Sequence, residues 1–234
     1  MNCLKRYIAE FIGTMFLVLF GCGVAVATNV SGNAGIIATA LAFGLALIGV
    51  SYCFGHISGC HVNPAVTIAF WINKKISFKD CIGYIIAQML GATLAVLEIG
   101  LFFGGLKELG GNQTQAVLIG AYGDTPSLFV ALAVEAILTC AFVLVVLGVS
   151  SRRNYKSVSG VVIGIALIVV HLLGIRLTGT SVNPARSFGP ALVQAFAGET
   201  TAIMQIWIFI LGPIFGAIVA SIIYRCLSHN EIEE

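Results

Sequence analysis

Six stretches of this chain, at about 7–28, 34–55, 81–103, 127–149, 159–177 and 203–226, are each long, apolar and nearly free of charge. About 20 apolar residues in a helix cross the hydrocarbon of a bilayer. In lipid each backbone N–H and C=O must be satisfied within the protein, which leaves helices or closed barrels as the spanning forms. The breaks between stretches carry turn residues: Asn-Val-Ser-Gly-Asn at 29–33, Gly-Gly-Asn at 110–112 and Ser-Ser-Arg-Arg-Asn at 150–154. Six membrane-spanning helices are therefore expected. Composition agrees, since 59% of residues are hydrophobic and only 9% charged, against roughly 25% charged in soluble domains. A net charge of +2 without a basic run excludes nucleic acid as a partner. No small-residue cleavage site follows Lys5, Arg6 and the first stretch, so that stretch reads as a retained span and not a removed leader.

Two further apolar pieces, 64–72 and 184–197, are too short to span, and each begins at an Asn-Pro. Val-Asn-Pro-Ala occupies 62–65 and recurs at 182–185, where Arg186 follows it. These tetrapeptides are peaks of a longer repeat. Gly44-x-Ala46-Leu47 matches Gly164-x-Ala166-Leu167, Ala9-Glu10-Phe11-Ile12-Gly13-Thr14 resembles Val134-Glu135-Ala136-Ile137-Leu138-Thr139, and Gly91-Ala92 recurs as Gly216-Ala217. One domain over 1–234 is expected, with repeat one at about 1–110 and repeat two at about 125–234. Each copy holds three spans, an odd number, so the second copy lies upside down relative to the first. The two Asn-Pro pieces then enter from opposite faces and meet near the midplane. Interrupted segments at matching positions of inverted repeats point to a transport site. With both termini inside, the cytoplasmic face collects Lys5, Arg6, Lys74, Lys75, Lys79, Arg152, Arg153, Lys156 and Arg225, while Lys107, Arg176 and Arg186 fall outside.

Asn is a strong helix N-cap and Pro suits the first helical position, so Asn63-Pro64 and Asn183-Pro184 read as helix starts. If each Asn caps its own helix with its oxygen, its NH2 is left as a donor at the midplane. Each helix start also carries about half a positive charge. Two such ends face to face repel cations and offer donors to a neutral molecule's oxygen.

With the stretch Ser58-Gly59-x-His61-x-Asn63-Pro64-Ala65-Val66-Thr67, the second Asn-Pro-Ala, the paired glutamates and the order of spans, the chain resembles the major intrinsic protein family. The likeness is to its bacterial water channels, over essentially the whole length. The resemblance implies an all-α membrane protein: six transmembrane helices plus two re-entrant half-helices in an inverted three-span repeat, a right-handed bundle around a central pore. It implies passive, osmotically driven water conduction that excludes ions and protons, an exclusion ascribed in this family to an Arg and to half-helix dipoles. It further implies a homotetramer in a bacterial inner membrane, each subunit with its own pore, and no catalytic residue, cofactor, coupling ion or metal.

By the same resemblance, Asn63, Pro64, Ala65, Asn183, Pro184 and Ala185 form the pore centre, and Phe43, His171, Thr180 and Arg186 form the narrowest ring near the outer mouth. His171 and Arg186 are expected to donate to a passing oxygen. Gly59, Cys60, His61 and Val62, with Thr178, Gly179, Thr180 and Ser181, supply ladders of carbonyls. Glu10 and Glu135 lie behind the pore and accept N–H bonds from the two loops. Relatives that conduct glycerol usually carry a small residue in place of His171 and Asp after the Arg; His171 and Ser187 here favour water. The rival readings are a facilitator for glycerol or another small neutral solute and, more distantly, an ion-coupled secondary transporter. Against the latter, the intramembrane charges, Glu10, Glu135 and Arg186, form no Asp/His relay.

The remaining features have simpler readings. Seven cysteines, an odd number scattered through apolar segments, argue against a disulfide framework. Cys53, His56, Cys60 and His61 have the spacing of metal ligands, but a loop at membrane depth with no second cluster argues against a metal. Asn29-Val30-Ser31 and Asn112-Gln113-Thr114 match a glycosylation pattern that recurs by chance. Cys60 precedes Asn63 as Thr180 precedes Asn183, which sets its thiol beside the pore and makes it the expected mercurial target. Gly13, Gly44, Gly91, Gly164 and Gly216 are expected at close helix contacts, Arg176 as an outer anchor or mouth charge, and Glu231, Glu233 and Glu234 as a solvated tail.

Overall fold

The computed structural model describes residues 3–30 and 32–228; Ser31 and the acidic positions Glu231, Glu233 and Glu234 lie outside the described residues. The first half holds α1 (Cys3–Thr28), α2 (Gly32–Ser58), the short α3 (Pro64–Ile72) and α4 (Phe78–Phe103). The second holds α5 (Ala116–Tyr122), α6 (Asp124–Ser151), α7 (Ser159–Thr178), the short α8 (Pro184–Phe196), α9 (Thr201–Met204) and α10 (Ile206–Ser228). Among the described residues there is no strand. Six helices, α1, α2, α4, α6, α7 and α10, are long and apolar enough to cross a membrane. They run a few residues past the apolar stretches. α1 begins at Cys3, so Lys5 and Arg6 lie in its first turns, and Arg6 pairs with Asp80 of α4 at 3.0 Å. The small helices α5 and α9 have too few residues for an amphipathic period and leave no trace in the sequence pattern.

α1 packs on α2 and α4, α6 packs on α7 and α10, and the two groups meet where α2 crosses α7. The short helices cross over: α8 lies against α4 and α3 against α10, each on a spanning helix of the other half. Glycine sets the closest approaches. A Cβ on Gly44 would stand 2.6 Å from the Gly164 carbonyl, and one on Gly164 equally close to that of Gly44. A Cβ on Gly91 would stand 2.2 Å from the Phe11 carbonyl, and one on Gly216 2.2 Å from that of Ala136. Helices that associate in lipid gain mainly from such backbone proximity, because lipid tails are as apolar as the side chains. Gly13 differs, since the nearest atom to a Cβ there would be in Val62 of the α2–α3 loop, at 2.8 Å.

Candidate functional site

Asn63 and Asn183 take extended backbone conformations and cap the two short helices. Asn63 Oδ1 accepts from Ala65 N at 2.8 Å, and Asn183 Oδ1 accepts from Ala185 N at 3.0 Å and Arg186 N at 3.3 Å. Their NH2 groups are only half free. Asn63 Nδ2 donates to the Val182 carbonyl at 2.7 Å, and Asn183 Nδ2 donates to the Val62 carbonyl at 2.8 Å. Each amide thus spends one hydrogen on the opposite loop and keeps the second. The sequence expectation left both hydrogens free; the crossed bonds arise because opposed loops bring each residue before an Asn within reach of the other Asn.

The loops that deliver these asparagines share one backbone form. Cys60 and Val62 have φ of 51° and 44°, and Thr180 and Val182 have 48° and 46°. Left-handed conformations at β-branched residues are strained, so something must hold them. Glu10 does so in the first loop: its carboxylate accepts from Ser58 Oγ at 2.6 Å, His61 N at 2.9 Å, Val62 N at 2.7 Å and Gln88 Nε2 at 2.8 Å. Glu135 does so in the second, accepting from Thr178 Oγ1 at 2.6 Å, Ser181 N at 2.9 Å and Val182 N at 2.8 Å. Both glutamates are fully buried, and a buried carboxylate survives only with its lone pairs so engaged. Ser58 and Thr178 were not singled out as loop supports, although they occupy equivalent positions in the repeat. Gln88, a polar residue inside a span, was equally readable and was missed.

His61 is held by its own half. Thr67 Oγ1 gives its proton to the Asn63 carbonyl at 3.0 Å, so it accepts from His61 Nδ1 at 3.2 Å, and the ring carries its proton on Nδ1. The same ring packs on Phe70 and Tyr84, with centroids 4.3 and 5.2 Å away.

Three residues of the expected outer ring come together. Phe43 and His171 stack with centroids 4.5 Å apart, and the Arg186 guanidinium lies 5.1 Å from the Phe43 centroid. Arg186 is buried with no carboxylate paired to it among the described residues; Nη1 donates to the Gly110 carbonyl at 2.8 Å and to Asn112 Oδ1 at 2.5 Å. His171 Nδ1 faces the Leu167 carbonyl at 2.9 Å, which can only accept, so Nδ1 carries the proton and Nε2 of the neutral ring is an acceptor. That corrects the expectation of two donors. His171 Nε2 and Arg186 Nε are both buried with no protein partner among the described residues.

A cavity of about 390 Å3 connects these parts. It runs from Lys156 and Ser150 at one end, along Gly59, Cys60, His61 and Val62, past Asn63 and Asn183, to Phe43, His171 and Arg186. Pro64, Ala65, Pro184 and Ala185 lie buried behind the asparagines, in the first turns of α3 and α8. Of the second ladder only Ser181 borders the cavity. The Thr178 carbonyl accepts from Asn112 Nδ2 at 3.3 Å, a Cβ on Gly179 would meet that same nitrogen at 3.0 Å, and Thr180 turns its hydroxyl toward Gly174. Thr180 therefore does not border the cavity that Phe43, His171 and Arg186 line.

Asn112, which carries only a chance glycosylation pattern in the sequence, has a structural role that sequence reasoning missed. It is buried, and its oxygen accepts from both Arg186 and Ser187, the latter at 2.7 Å; a buried amide is no glycan acceptor. Arg176 ties the end of α7 to the start of α2 through Asn33 Oδ1 at 2.6 Å. Glu98, inside α4, adds a carboxylate to the intramembrane set, one oxygen of which is buried without a partner among the described residues. Among those residues no three His, Cys, Asp or Glu side chains gather as metal ligands, and all seven cysteines are free thiols.

Known proteins share this architecture. Aquaporin Z of Rhodopseudomonas palustris is 38% identical over 232 residues, covering 96% of this chain and 93% of its own. Glycerol uptake facilitator protein-like 6 of Lactiplantibacillus plantarum is 40% identical over 231 residues, covering 97% and 100%. The X-ray structure of the aquaglyceroporin from Plasmodium falciparum superposes with a TM-score of 0.77 at 22% identity, over 95% of this chain and 96% of that one, which shows a common fold. The profile of the Major intrinsic protein family matches residues 1–224. Its members are channels and not enzymes, and this multi-pass membrane chain belongs to that family.

Proposed function

We propose that the chain is a passive, water-selective channel that excludes ions and protons, working as a homotetramer with one pore per subunit. The reading takes 1–234 as a single channel domain made of repeats at about 1–110 and 125–234, set in a bacterial inner membrane with both termini cytoplasmic. One observation carries it: in the Phe43–His171–Arg186 ring, one buried acceptor, His171 Nε2, and one buried donor, Arg186 Nε, are unpaired beside an aromatic wall. Water donates and accepts at once and is small enough to pass such a wall. At the centre, each spare hydrogen of Asn63 and Asn183 serves the oxygen of a passing water. A water that accepts there from two donors cannot also relay a proton through that oxygen. In this reading Glu10 and Glu135 hold the loops, and the carbonyls from Gly59 to Val62, with Ser181, take the hydrogens of the moving water file.

A second reading, glycerol facilitation, draws support from the 40% identity to a protein named as a glycerol uptake facilitator. Stopped-flow light scattering on proteoliposomes separates the two. Fast osmotic shrinkage without glycerol uptake and without proton or salt current is expected. Glycerol entry at rates comparable to water would transfer the assignment to the facilitator, and a requirement for an ion gradient would defeat both.

A further inference from the structure

The face that carries the start of α1 and the end of α10 holds a second cavity, of about 1110 Å3, between the α3–α4 connection, the end of α6 and the end of α10. Lys74, Lys75, Arg152 and Arg225 border it, and among the described residues no carboxylate does. Ser150, Ser151 and Ser228 are among its other lining residues, and the Ser151 hydroxyl donates to the Leu147 carbonyl at 2.6 Å. Their role as topology signals accounts for the sign of this face. It does not account for their convergence, because cations gathered in one recess repel one another.

Two of these cations are fixed in place. Arg225 Nε donates to Asn73 Oδ1 at 3.3 Å, and its Nη2 donates to the Ile72 carbonyl. Lys75 Nζ donates to Ser151 Oγ at 2.5 Å and stands over the rings of Phe70 and Tyr224, at 5.4 and 5.5 Å. Burial pulls the Lys75 ammonium below the usual lysine pKa. Lys74 occupies an unusual backbone position. The bonds Lys74 N to the Trp71 carbonyl and Lys75 N to the Phe70 carbonyl, both 2.9 Å, close α3 with a Schellman turn whose left-handed residue, at φ 58°, is Lys74. Glycine usually holds that position. A glycine there would relieve the strain and remove a charge, so the strained lysine puts an ammonium at this spot.

We propose that this cavity binds a phosphate-type oxyanion, either the headgroup of an anionic lipid in the adjacent leaflet or a soluble phosphate. Ammonium groups, and the guanidinium hydrogens that Arg225 does not spend on Asn73 and Ile72, are donors that phosphate oxygens take. The volume exceeds what a bare phosphate fills and admits a headgroup with its glycerol. The site adjoins the pore: Ser150 borders both cavities, and Phe70, beneath the Lys75 ammonium, borders the first.

The test uses the full chain in nonionic detergent. Short-chain phosphatidylglycerol or phosphatidylcholine is titrated in, and bound lipid is counted by native mass spectrometry. Phosphatidylglycerol binds in preference to phosphatidylcholine, and Lys74→Gln weakens it about fivefold, the effect of one cation at a membrane surface. Lys74→Arg retains affinity. Lys79→Gln removes the same charge from the same face outside the cavity and leaves affinity unchanged. Lys74 has no side-chain partner among the described residues, so its variants leave the Arg225 and Lys75 anchors intact. Equal weakening in Lys74→Gln and Lys79→Gln would show diffuse surface charge and overturn the proposal, as would equal binding of the two lipids. Competition by inorganic phosphate with the same Lys74 dependence identifies a soluble source; lipid binding that phosphate does not displace identifies the leaflet.

Discussion

Replacing Glu135 with glutamine tests whether a carboxylate behind the pore is what holds the second loop in shape. Thr180 and Val182 sit at φ 48° and 46°, and left-handed backbone costs roughly 1–2 kcal/mol per residue, so the loop carries about 2–4 kcal/mol of strain. Glu135 accepts three hydrogen bonds, and bonds to a charged acceptor contribute about 1.5–3 kcal/mol each, roughly 5–9 kcal/mol together. Glutamine turns one oxygen into an NH2, so either Ser181 N or Val182 N faces a donor and loses its acceptor. The two bonds left go to a neutral amide, at about 0.5–1.5 kcal/mol each, and no longer exceed the strain. Val182 then relaxes, and its carbonyl leaves Asn63 Nδ2. Glu10 accepts four bonds, two of them from Ser58 and Gln88 side chains. Each Glu10 oxygen accepts two bonds, one of them from a side chain, the Ser58 hydroxyl or the Gln88 amide, that can turn to accept from the new NH2. In Glu10→Gln only one backbone donor therefore loses its partner, three bonds remain and the first loop stays nearer balance. Stopped-flow water permeability per reconstituted channel, with circular dichroism as the check on helix content, should show Glu135→Gln losing most of its conductance. Glu10→Gln should keep a larger share. Full conductance in Glu135→Gln, or the reverse order, would refute the argument that strain and carboxylate are balanced against each other.

Arg186→Ala combined with His171→Ala opens the ring beside Phe43, and liposomes carrying that variant should admit glycerol or protons; permeability that stays restricted to water would mean the ring is misplaced. Cys60 borders the pore cavity, so mercurials should stop osmotic shrinkage through it, and Cys60→Ser should be resistant; full sensitivity in that variant removes Cys60 as the target. A Cβ on Gly91 would meet the Phe11 carbonyl at 2.2 Å, whereas one on Gly49 meets nothing within 4 Å. Gly91→Ala should therefore cost about 1–3 kcal/mol or more and lower the thermal midpoint in detergent, with Gly49→Ala unchanged or slightly raised; equal midpoints would contradict the packing.

The spans, the two short helices and the buried glutamates were legible because each leaves a chemical mark: absent charge, a doubled Asn-Pro, a carboxylate in an apolar run. Asn112 left none, because a polar residue in a polar connection looks like any other until Arg186 is seen to lie against it. The tautomer of His171 was likewise unreadable, since it depends on the Leu167 carbonyl one turn back accepting from Nδ1. The resemblance placed Thr180 in the ring, but side-chain direction in a loop follows local φ, and its hydroxyl turns toward Gly174. Glu98 was passed over near the end of a long apolar stretch, where a single carboxylate disturbs the average little.

The crossed bonds from Asn63 to Val182 and from Asn183 to Val62 bear on how such a chain is made. While only the first half has left the ribosome, Val62 lacks the amide that its carbonyl will meet, and Asn63 lacks its acceptor. Neither loop reaches its final form until the other arrives, some 120 residues later in synthesis. Closing the centre of the pore thus requires both halves in opposed orientations. A second half in the wrong orientation would leave these amide hydrogens and carbonyls unpaired.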